Sequence, residues 1–248
     1  MTDKAGEQGR MKGIRLDKYL AQAGLGSRTQ VKELLKKGKV TVNGQEVRRP
    51  EEKVIPGEDT VCCGEETVGH QEHRYYLLNK PAGLVSATED SRERTVLELF
   101  PQGLRRGIFP VGRLDKDTVG LLLLTDDGEL AHRLLSPRKH VEKVYEALVD
   151  GQMNQEDQQA FAKGLDIGDD APTRPARLEL CQAGEQSLVR ITLTEGRYHQ
   201  VKRMCQAVGK PVIKLKRLSM GSLKLDDSLR EGEYRPLTEE EIGRLKEC

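Results

Sequence analysis

A short polar segment between two apolar segments constrains the fold of this chain more than any other feature of its sequence. Residues 109–128 read FPVGRLDKDTVGLLLLTDDG, with a polar centre formed by Arg113, Asp115, Lys116 and Asp117. The apolar run 121–124 is short enough for a buried strand, and the Asp-Asp-Gly that follows is a turn signal. The pattern predicts a strand, a charged loop and a second strand, and catalytic groups are common in loops of this kind.

The composition indicates a protein with a modest core. The chain has 248 residues, of which 36% are hydrophobic and 33% are charged, enough for one large domain or two unequal ones. It contains no apolar run of about 18 residues, so we expect no membrane span. Residues 1–10 are polar and lack the apolar centre of a signal peptide, which favours a cytoplasmic protein.

The cysteines and histidines do not form a metal-binding pattern. No two cysteines have C-x-x-C spacing and no two histidines have H-x-x-x-H spacing. An odd, scattered set of cysteines argues against a disulfide framework and against a zinc site. We therefore expect no metal and no cofactor. The five cysteines are Cys62, Cys63, Cys181, Cys205 and Cys248.

The net charge of +1 conceals an asymmetry between the two ends of the chain. Residues 1–49 hold 12 Lys and Arg against 5 Asp and Glu, whereas residues 50–248 hold 29 against 35. A basic N-terminal part on a mildly acidic body favours a polyanionic partner. A solvated basic tail is the alternative interpretation, but the charge lies on patterned sequence rather than on low-complexity sequence.

The N-terminal part is predicted to form two short helices and a hairpin. Apolar residues from Ile14 to position 23 recur at helical spacing, and Gly24 ends that helix. Ser27 and Gln30 form a capping-box pattern at the start of a second helix. Asn43-Gly44 between two short apolar segments is a strong signal for a two-residue hairpin turn.

Three segments of this part resemble the S4 RNA-binding fold: Ile14-Arg-Leu-Asp-Lys-Tyr-Leu20, Gly26-Ser-Arg28 and Val40-Thr-Val-Asn-Gly44. The resemblance implies that the second helix and the hairpin contact structured RNA. Lysines and arginines on one face neutralise phosphates with little choice of sequence. The basic residues expected to bind RNA here are Arg15, Lys18, Arg28, Lys32 and Lys36.

The predicted domain organisation has four parts: a disordered tail over 1–13, an S4-like RNA-binding domain over 14–60, a linker over 61–72 and a catalytic domain over 73–248. Helix and strand patterns alternate in the last part without βαβ regularity. This favours an α+β fold with a mixed, mostly antiparallel sheet.

Four motifs of the larger domain resemble the pseudouridine synthases, and most closely the RsuA type, which joins an S4 module to the catalytic domain. The motifs are Lys80-Pro-Ala-Gly83, Gly112-Arg-Leu-Asp-Lys-Asp-Thr118, Lys143-Val-Tyr145 and Glu195-Gly-Arg-Tyr-His-Gln-Val-Lys-Arg-Met204. The resemblance implies isomerisation of a uridine within ribosomal RNA without a cofactor.

The same resemblance assigns roles to individual residues. Asp115 corresponds to the family's nucleophile, which attacks the target uridine at the sugar or at the base. Tyr145 corresponds to the aromatic residue beside it, and Lys202 to the basic residue that pairs with the carboxylate. Arg203, one position further, is the alternative partner. Asp117 lies two residues after Asp115 and is expected to point the other way in an extended loop.

Other residues of these motifs are expected to support the site. Arg113 is predicted to help place the loop and Thr118 to hold it through hydrogen bonds to the backbone. Lys80 and Arg203 complete the supporting group. The run 197–217 contains Lys and Arg without any acid, which favours RNA contact over a solvated helix face. Arg197 and His199 are the expected RNA-binding residues there, although His199 in isolation is equally a structural residue.

Three alternatives remain open at this point. Asp115-Lys-Asp117 imitates the nucleophile pair of haloacid dehalogenase phosphotransferases, but Arg113 interrupts the apolar approach and no βαβ pattern follows. A non-catalytic RNA-binding or ribosome assembly protein is the second alternative. The third concerns the substrate: Tyr198-His199 resembles enzymes of 16S rRNA, whereas relatives that act on 23S rRNA usually carry Asn-Arg at these positions. A monomeric protein is expected.

Overall fold

The computed structural model describes residues 13–69 and 73–247. The chain divides into two compact units, Met1–Arg74 and Tyr75–Cys248. Except for Gly13, the predicted disordered tail lies outside the described residues. Among the described helices, none is long and apolar enough to cross a membrane.

The N-terminal unit contains the two predicted helices and six short strands. The four-stranded sheet has the order β3-β2-β5-β6, and β1 pairs with β4 in a separate antiparallel ladder. The elements are β1 (Ile14–Arg15), α1 (Leu16–Gln22), α2 (Arg28–Lys36), β2 (Val40–Val42), β3 (Gln45–Glu46), β4 (Lys53–Val54), β5 (Val61–Cys63) and β6 (Glu66–Thr67).

Local sequence signals define these elements well. The Ser27 side chain accepts from the Gln30 backbone, and the Gln30 side chain accepts from the Ser27 backbone, so the predicted capping box is present. Asn43 and Gly44 have φ of 52° and 79°, the left-handed values that a tight hairpin turn requires. The core of this unit lies between the helices and the sheet.

The predicted linker over 61–72 begins too early. Val61–Cys63 and Glu66–Thr67 are strands of the sheet, and Val61 and Val68 are buried in the core of the unit. Polar residues at 65–66 favoured a linker, but they occupy the turn and the exposed edge strand of a hairpin. The N-terminal structural unit therefore extends past residue 60.

The larger unit is built on one mixed sheet with the path β11-β12-β10-β13-β9-β7-β15. All neighbours on this path are antiparallel except β9 and β13, which run parallel. The strands are β7 (Tyr75–Lys80), β8 (Phe109–Pro110), β9 (Val119–Thr125), β10 (Lys143–Asp150), β11 (Arg177–Gln182), β12 (Gln186–Leu193), β13 (Val212–Met220), β14 (Leu223–Lys224) and β15 (Tyr234–Pro236).

Helices cover both faces of this sheet. Leu122 and Leu124 pack into one apolar core, and Leu121 and Leu123 pack into a second core, because successive side chains of β9 point to opposite faces. This explains why four leucines follow one another. Besides a short 3₁₀ turn at Val96–Leu99, the helices are α3 (Gln102–Arg105), α4 (Gly128–Leu135), α5 (Gln155–Lys163), α6 (Gln200–Ala207) and α7 (Glu239–Lys246).

Candidate active site

A single buried lysine holds the loop between β8 and β9. Lys80 ends β7 with no solvent exposure. Its Nζ donates to the carbonyl oxygens of Pro81 at 3.0 Å, Asp115 at 3.1 Å, Lys116 at 3.3 Å and Thr118 at 2.9 Å. Burial lowers the pKa of Lys80 from 10.5 to about 8. Lys80 thus holds the backbone of the loop through hydrogen bonds, an arrangement called the Lys80 clamp below.

The loop presents the Asp115 carboxylate to two basic side chains of the segment at the start of α6. Lys202 Nζ lies 3.3 Å from Asp115 Oδ2, and His199 Nε2 lies 3.4 Å from Asp115 Oδ1. Asp115 and Lys202 each retain 25% side-chain exposure, so the carboxylate is screened from bulk water and still open to a substrate. A nearby cation favours the ionised form that a nucleophile requires.

Asp117 also faces Lys202, so the expectation that it points the other way is wrong. Its Oδ1 lies 2.5 Å from Lys202 Nζ, closer than Asp115. Residues two positions apart lie on the same face even of an extended chain, so strand alternation gave no support to that expectation. In the structure the loop turns over 115–118, where the Thr118 amide donates to the Asp115 carbonyl at 3.1 Å.

The shared cation shifts the titration of the groups around it. The hydrogen bond from Lys202 lowers the pKa of Asp117. Burial opposes the charged form of Lys202, but its contacts with Asp117 and Asp115 prevail and raise its pKa. The lysine is therefore held charged between the two carboxylates.

Tyr145 lies on β10 beside this cluster and is 9% exposed. An open cleft is bounded by the nucleophile candidate and by apolar side chains. Residues that line it include Asp115, Thr118, Tyr145, Leu193, His199 and Val201. The structure thus brings the predicted Asp115, Tyr145 and Lys202 together from three distant segments.

An exposed aromatic residue lies next to the cluster of Asp115, Lys202 and His199. The sequence interpretation did not identify it as a site residue. Tyr198 is 74% exposed, and its ring stacks on His199 with centroids 3.8 Å apart and an interplanar angle of 18°. His199 has a φ of 49°, a left-handed value that is uncommon outside glycine. An aromatic residue inside a polar motif was the available signal, because such residues stack on nucleobases.

Arg203 makes its contacts outside the carboxylate cluster. Its guanidinium donates to the Ile167 carbonyl, forms an ion pair with Asp169 at 2.5 Å and donates to the Tyr198 carbonyl at 3.1 Å. Arg203 follows Lys202 directly on α6, so its side chain leaves the helix about 100° away from that of Lys202. Lys202 is therefore the residue that pairs with Asp115. Arg203 instead contacts the backbone next to His199, and its predicted supporting role stays a prediction.

Arg197 is also bonded within the protein. It donates to the carbonyl oxygens of Ala171 and Pro172 at 2.7 and 2.8 Å and pairs with Glu195 at 3.2 Å. Its predicted RNA contact stays a prediction. Arg113 is exposed and lines the cleft, and its guanidinium bonds to none of the other described residues. The prediction that Arg113 places the loop is therefore not supported.

Comparisons with known proteins agree with this geometry. The model of the RNA pseudouridylate synthase family matches residues 74–207, and the S4 domain model matches residues 14–59. The chain belongs to the RNA pseudouridylate synthase family. The expected fold class, an S4 domain followed by an α+β synthase domain with a mostly antiparallel sheet, is confirmed.

Individual relatives of this pseudouridylate synthase cover nearly its whole length. A Bacillus subtilis (strain 168) protein described as the uncharacterized RNA pseudouridine synthase YtzG is 48% identical over 94% of this chain and 99% of its own. The ribosomal small subunit pseudouridine synthase A of Escherichia coli (strain K12) is 42% identical over 94% and 100%. A crystal structure of a pseudouridylate synthase, 40% identical, covers 94% of this chain and 99% of that one with a TM-score of 0.67.

In the S4 domain of this synthase the predicted RNA-binding residues are exposed, but not all are free. The Arg15 guanidinium binds the buried Asp17 carboxylate through two hydrogen bonds, at 3.0 and 3.1 Å, and this contact lowers the pKa of Asp17. Lys36 pairs with Glu33 at 3.3 Å. Arg15 therefore has a structural role, whereas the exposed cations Lys18, Arg28 and Lys32 are better placed for phosphates.

Proposed function

We propose that this enzyme converts a specific uridine of small-subunit (16S) ribosomal RNA into pseudouridine, with Asp115 as the nucleophile. The observation that carries the proposal is the position of the Asp115 carboxylate, which contacts Lys202 and His199 at the mouth of a cleft that Tyr145 lines. The haloacid dehalogenase alternative is set aside, because the chain belongs to a different family.

The reaction follows from these side chains. The glycosidic bond between N1 and C1′ breaks, the uracil ring turns, and a bond forms between C5 and C1′. The proton leaves C5 and N1 gains one, so the overall change is an isomerisation that needs no external reactant. Asp115, whose carboxylate lies 3.3 Å from Lys202 Nζ, attacks the uridine at the sugar or at the base. The carbon–oxygen bond so formed breaks again before the product leaves, which returns the free carboxylate. Tyr145 is placed to stack on the base, and its hydroxyl is placed to exchange the proton.

The target base must leave its helix before it reaches Asp115 in the cleft. In folded RNA the C5 atom and the glycosidic bond are hidden by stacking, so the nucleotide is flipped out. The cleft reads one nucleotide, and site selection then rests on RNA shape and on the exposed cations of the S4 domain. The small-subunit assignment draws on relatives such as the Escherichia coli enzyme and on Tyr198-His199. We further propose that the enzyme acts as a monomer in the cytoplasm.

The decisive test combines one substitution with a map of the product. Pseudouridines are mapped in 16S and 23S rRNA from cells with the gene, without it, and with the Asp115→Asn variant. We expect one position of 16S rRNA to lose its pseudouridine both in the deletion and in the variant. The exposed Asp170 provides the matched control, because Asp170→Asn makes the same chemical change outside the cleft.

Other outcomes decide between the alternatives. A lost position in 23S rRNA would reassign the substrate and leave the chemistry intact. An Asp115→Asn variant with full activity would refute the nucleophile. Unchanged maps, together with tight binding of purified protein to 16S rRNA, would favour the non-catalytic assembly protein. RNA binding by Asp115→Asn within about threefold of wild type separates loss of chemistry from loss of affinity.

A further inference from the structure

The hydroxyl of Thr118 is buried in the wall of the cleft without a partner. Thr118 is 1% exposed and lines the cleft with Asp115 and Tyr145. Its Oγ1 has no hydrogen-bond partner among the residues that the structure describes. A buried hydroxyl that makes no hydrogen bond costs about 1–3 kcal/mol, so its presence calls for an explanation.

The loop does not need this hydroxyl for its own shape. The predicted hydrogen bonds of Thr118 to the loop are made by its backbone, whose amide donates to Asp115 at 3.1 Å and whose carbonyl accepts from Lys80 at 2.9 Å. The prediction that the side chain holds the loop is therefore not supported. Valine has nearly the same shape and would fill the position without an unpaired polar atom.

The walls around Thr118 are largely apolar, and the other polar side chains there include Arg113, Tyr145 and His199. Leu114, Leu193, Val201 and Leu215 line the cleft with apolar surface. Gln200 also lines it, but its amide donates to Glu195 at 2.6 Å and accepts from the Arg197 amide at 2.9 Å. Thr118 thus supplies a neutral hydroxyl, able to donate and to accept, beside the reacting carboxylate.

We propose that the Thr118 hydroxyl binds the polar edge of the flipped-out uracil ring and so orients it against Asp115. Uracil has two carbonyl oxygens and one N–H on that edge, and each is a suitable partner for a hydroxyl. Entry of the base satisfies a group that the free protein leaves unpaired. This inference rests on the proposed function, and it adds a substrate-contacting residue to Asp115, Tyr145 and Lys202.

The test uses an isosteric pair of variants and a control with the same defect elsewhere. Thr118→Val removes only the hydroxyl, and Thr118→Ser keeps it. Thr192 also has a buried Oγ1 without a partner among the described residues, but it does not line the cleft. Unfolding by urea and steady-state kinetics on an rRNA fragment are measured for Thr118→Val, Thr118→Ser and Thr192→Val.

We expect the stability and the activity of Thr118→Val to change in different directions. Its urea midpoint should equal or exceed that of wild type, because an unpaired buried group is lost. Its kcat/KM should fall about 10- to 100-fold, because one hydrogen bond to the substrate is lost. Thr118→Ser should keep kcat/KM within about fivefold, and Thr192→Val should be as active as wild type.

Two results would overturn the inference. One is a Thr118→Val enzyme with wild-type kcat/KM. The other is a Thr118→Val enzyme that loses stability and activity together, which would show a structural role. A fragment with 2′-deoxyuridine at the target tells which part of the nucleotide Thr118 contacts. If Thr118→Val no longer lowers kcat/KM on this fragment, the hydroxyl binds the ribose and not the base, which would also contradict the inference. If Asp115→Asn were active, the proposed function would fail, whatever Thr118 does.

Discussion

Replacing Lys80 by methionine removes the cation that clamps the catalytic loop and keeps the length of the side chain. The ammonium group of Lys80 is shared among four backbone carbonyls, of which three belong to the loop 115–118. Without it, the Pro81 and Thr118 carbonyls lose this donor, whereas the Asp115 carbonyl keeps the Thr118 amide at 3.1 Å and the Lys116 carbonyl keeps the Gly83 amide at 2.7 Å. We expect Lys80→Met to lower both stability and activity.

The size of the stability change follows from two opposing contributions. An ammonium has three N–H groups, and each hydrogen bond from a charged donor contributes about 1.5–3 kcal/mol, roughly 5–9 kcal/mol together. Burial of the charge lowers the pKa of Lys80 from 10.5 to about 8, which corresponds to a cost of about 3 kcal/mol at neutral pH. The variant escapes that cost, so the net loss should be roughly 2–6 kcal/mol.

The pH dependence provides an independent check with a defined sign. Because the folded-state pKa of Lys80 is about 8 and its ordinary value is 10.5, the unfolded chain binds more protons than the folded chain between these pH values. The free energy of unfolding of wild type should therefore rise with pH in this range, relative to the variant. The difference between the two proteins should grow by about 3 kcal/mol from pH 8 to 10.5 and be flat below pH 7.

Urea unfolding at several pH values and single-turnover kinetics measure both effects. A displaced loop should lower kcat/KM by about 100-fold or more, because a shift of 1 Å is enough for such a loss. Lys143→Met is the matched control. Like Lys80, Lys143 is buried, and burial lowers its pKa. Unlike Lys80, it donates to one carbonyl, that of Val141 at 2.8 Å, and it lies outside the cleft. Equal effects of the two substitutions, or a fully active Lys80→Met, would refute the clamp.

Three further predictions concern the other cations. Lys202→Met removes the lysine that lies between the Asp115 and Asp117 carboxylates. Single-turnover rates should fall about 100-fold, while RNA affinity measured by filter binding changes little. An unchanged rate would contradict the pairing of Lys202 with Asp115. Arg203→Ala breaks the contacts with Asp169 and with the Tyr198 carbonyl, so it should lower the melting temperature by several degrees and reduce the single-turnover rate less than Lys202→Met does. A loss of rate as large as that of Lys202→Met would contradict the assignment of Lys202 as the partner of Asp115. Lys32→Gln should weaken RNA binding and reduce the slope of log affinity against log salt by about one; an unchanged slope would exclude a phosphate contact.

The elements that the sequence predicted are those with a local physical signature. The Ser27 capping box and the Asn43-Gly44 turn depend on residues within a few positions of one another. The strand β9 follows from its apolar run. The helix α7 (Glu239–Lys246) was missed, because its mostly charged sequence hides a narrow buried face formed by Ile242 and Leu245.

The site itself required contacts that no local pattern encodes. Family resemblance placed Asp115, Tyr145 and Lys202 together, and the sheet explains how: Tyr145 lies on β10, which pairs with β13, which in turn pairs with β9 directly after the loop. The choice between Lys202 and Arg203 was beyond sequence reasoning, since neighbouring residues on a helix differ only in direction. The partner of each depends on which loop packs nearby.

The two carboxylates of the loop show why burial, rather than proximity to the lysine, separates their roles. Lys202 lies nearer to Asp117 than to Asp115, at 2.5 against 3.3 Å, so an argument from distance alone would select Asp117 as the nucleophile. However, the Asp117 side chain is 73% exposed, whereas that of Asp115 is 25% exposed and lines the cleft with Tyr145. Water solvates and screens the exposed carboxylate, and a flipped-out base can replace water only around the enclosed one. The same lysine thus contacts Asp117 on the exposed side of the loop and Asp115 where that carboxylate faces the cleft.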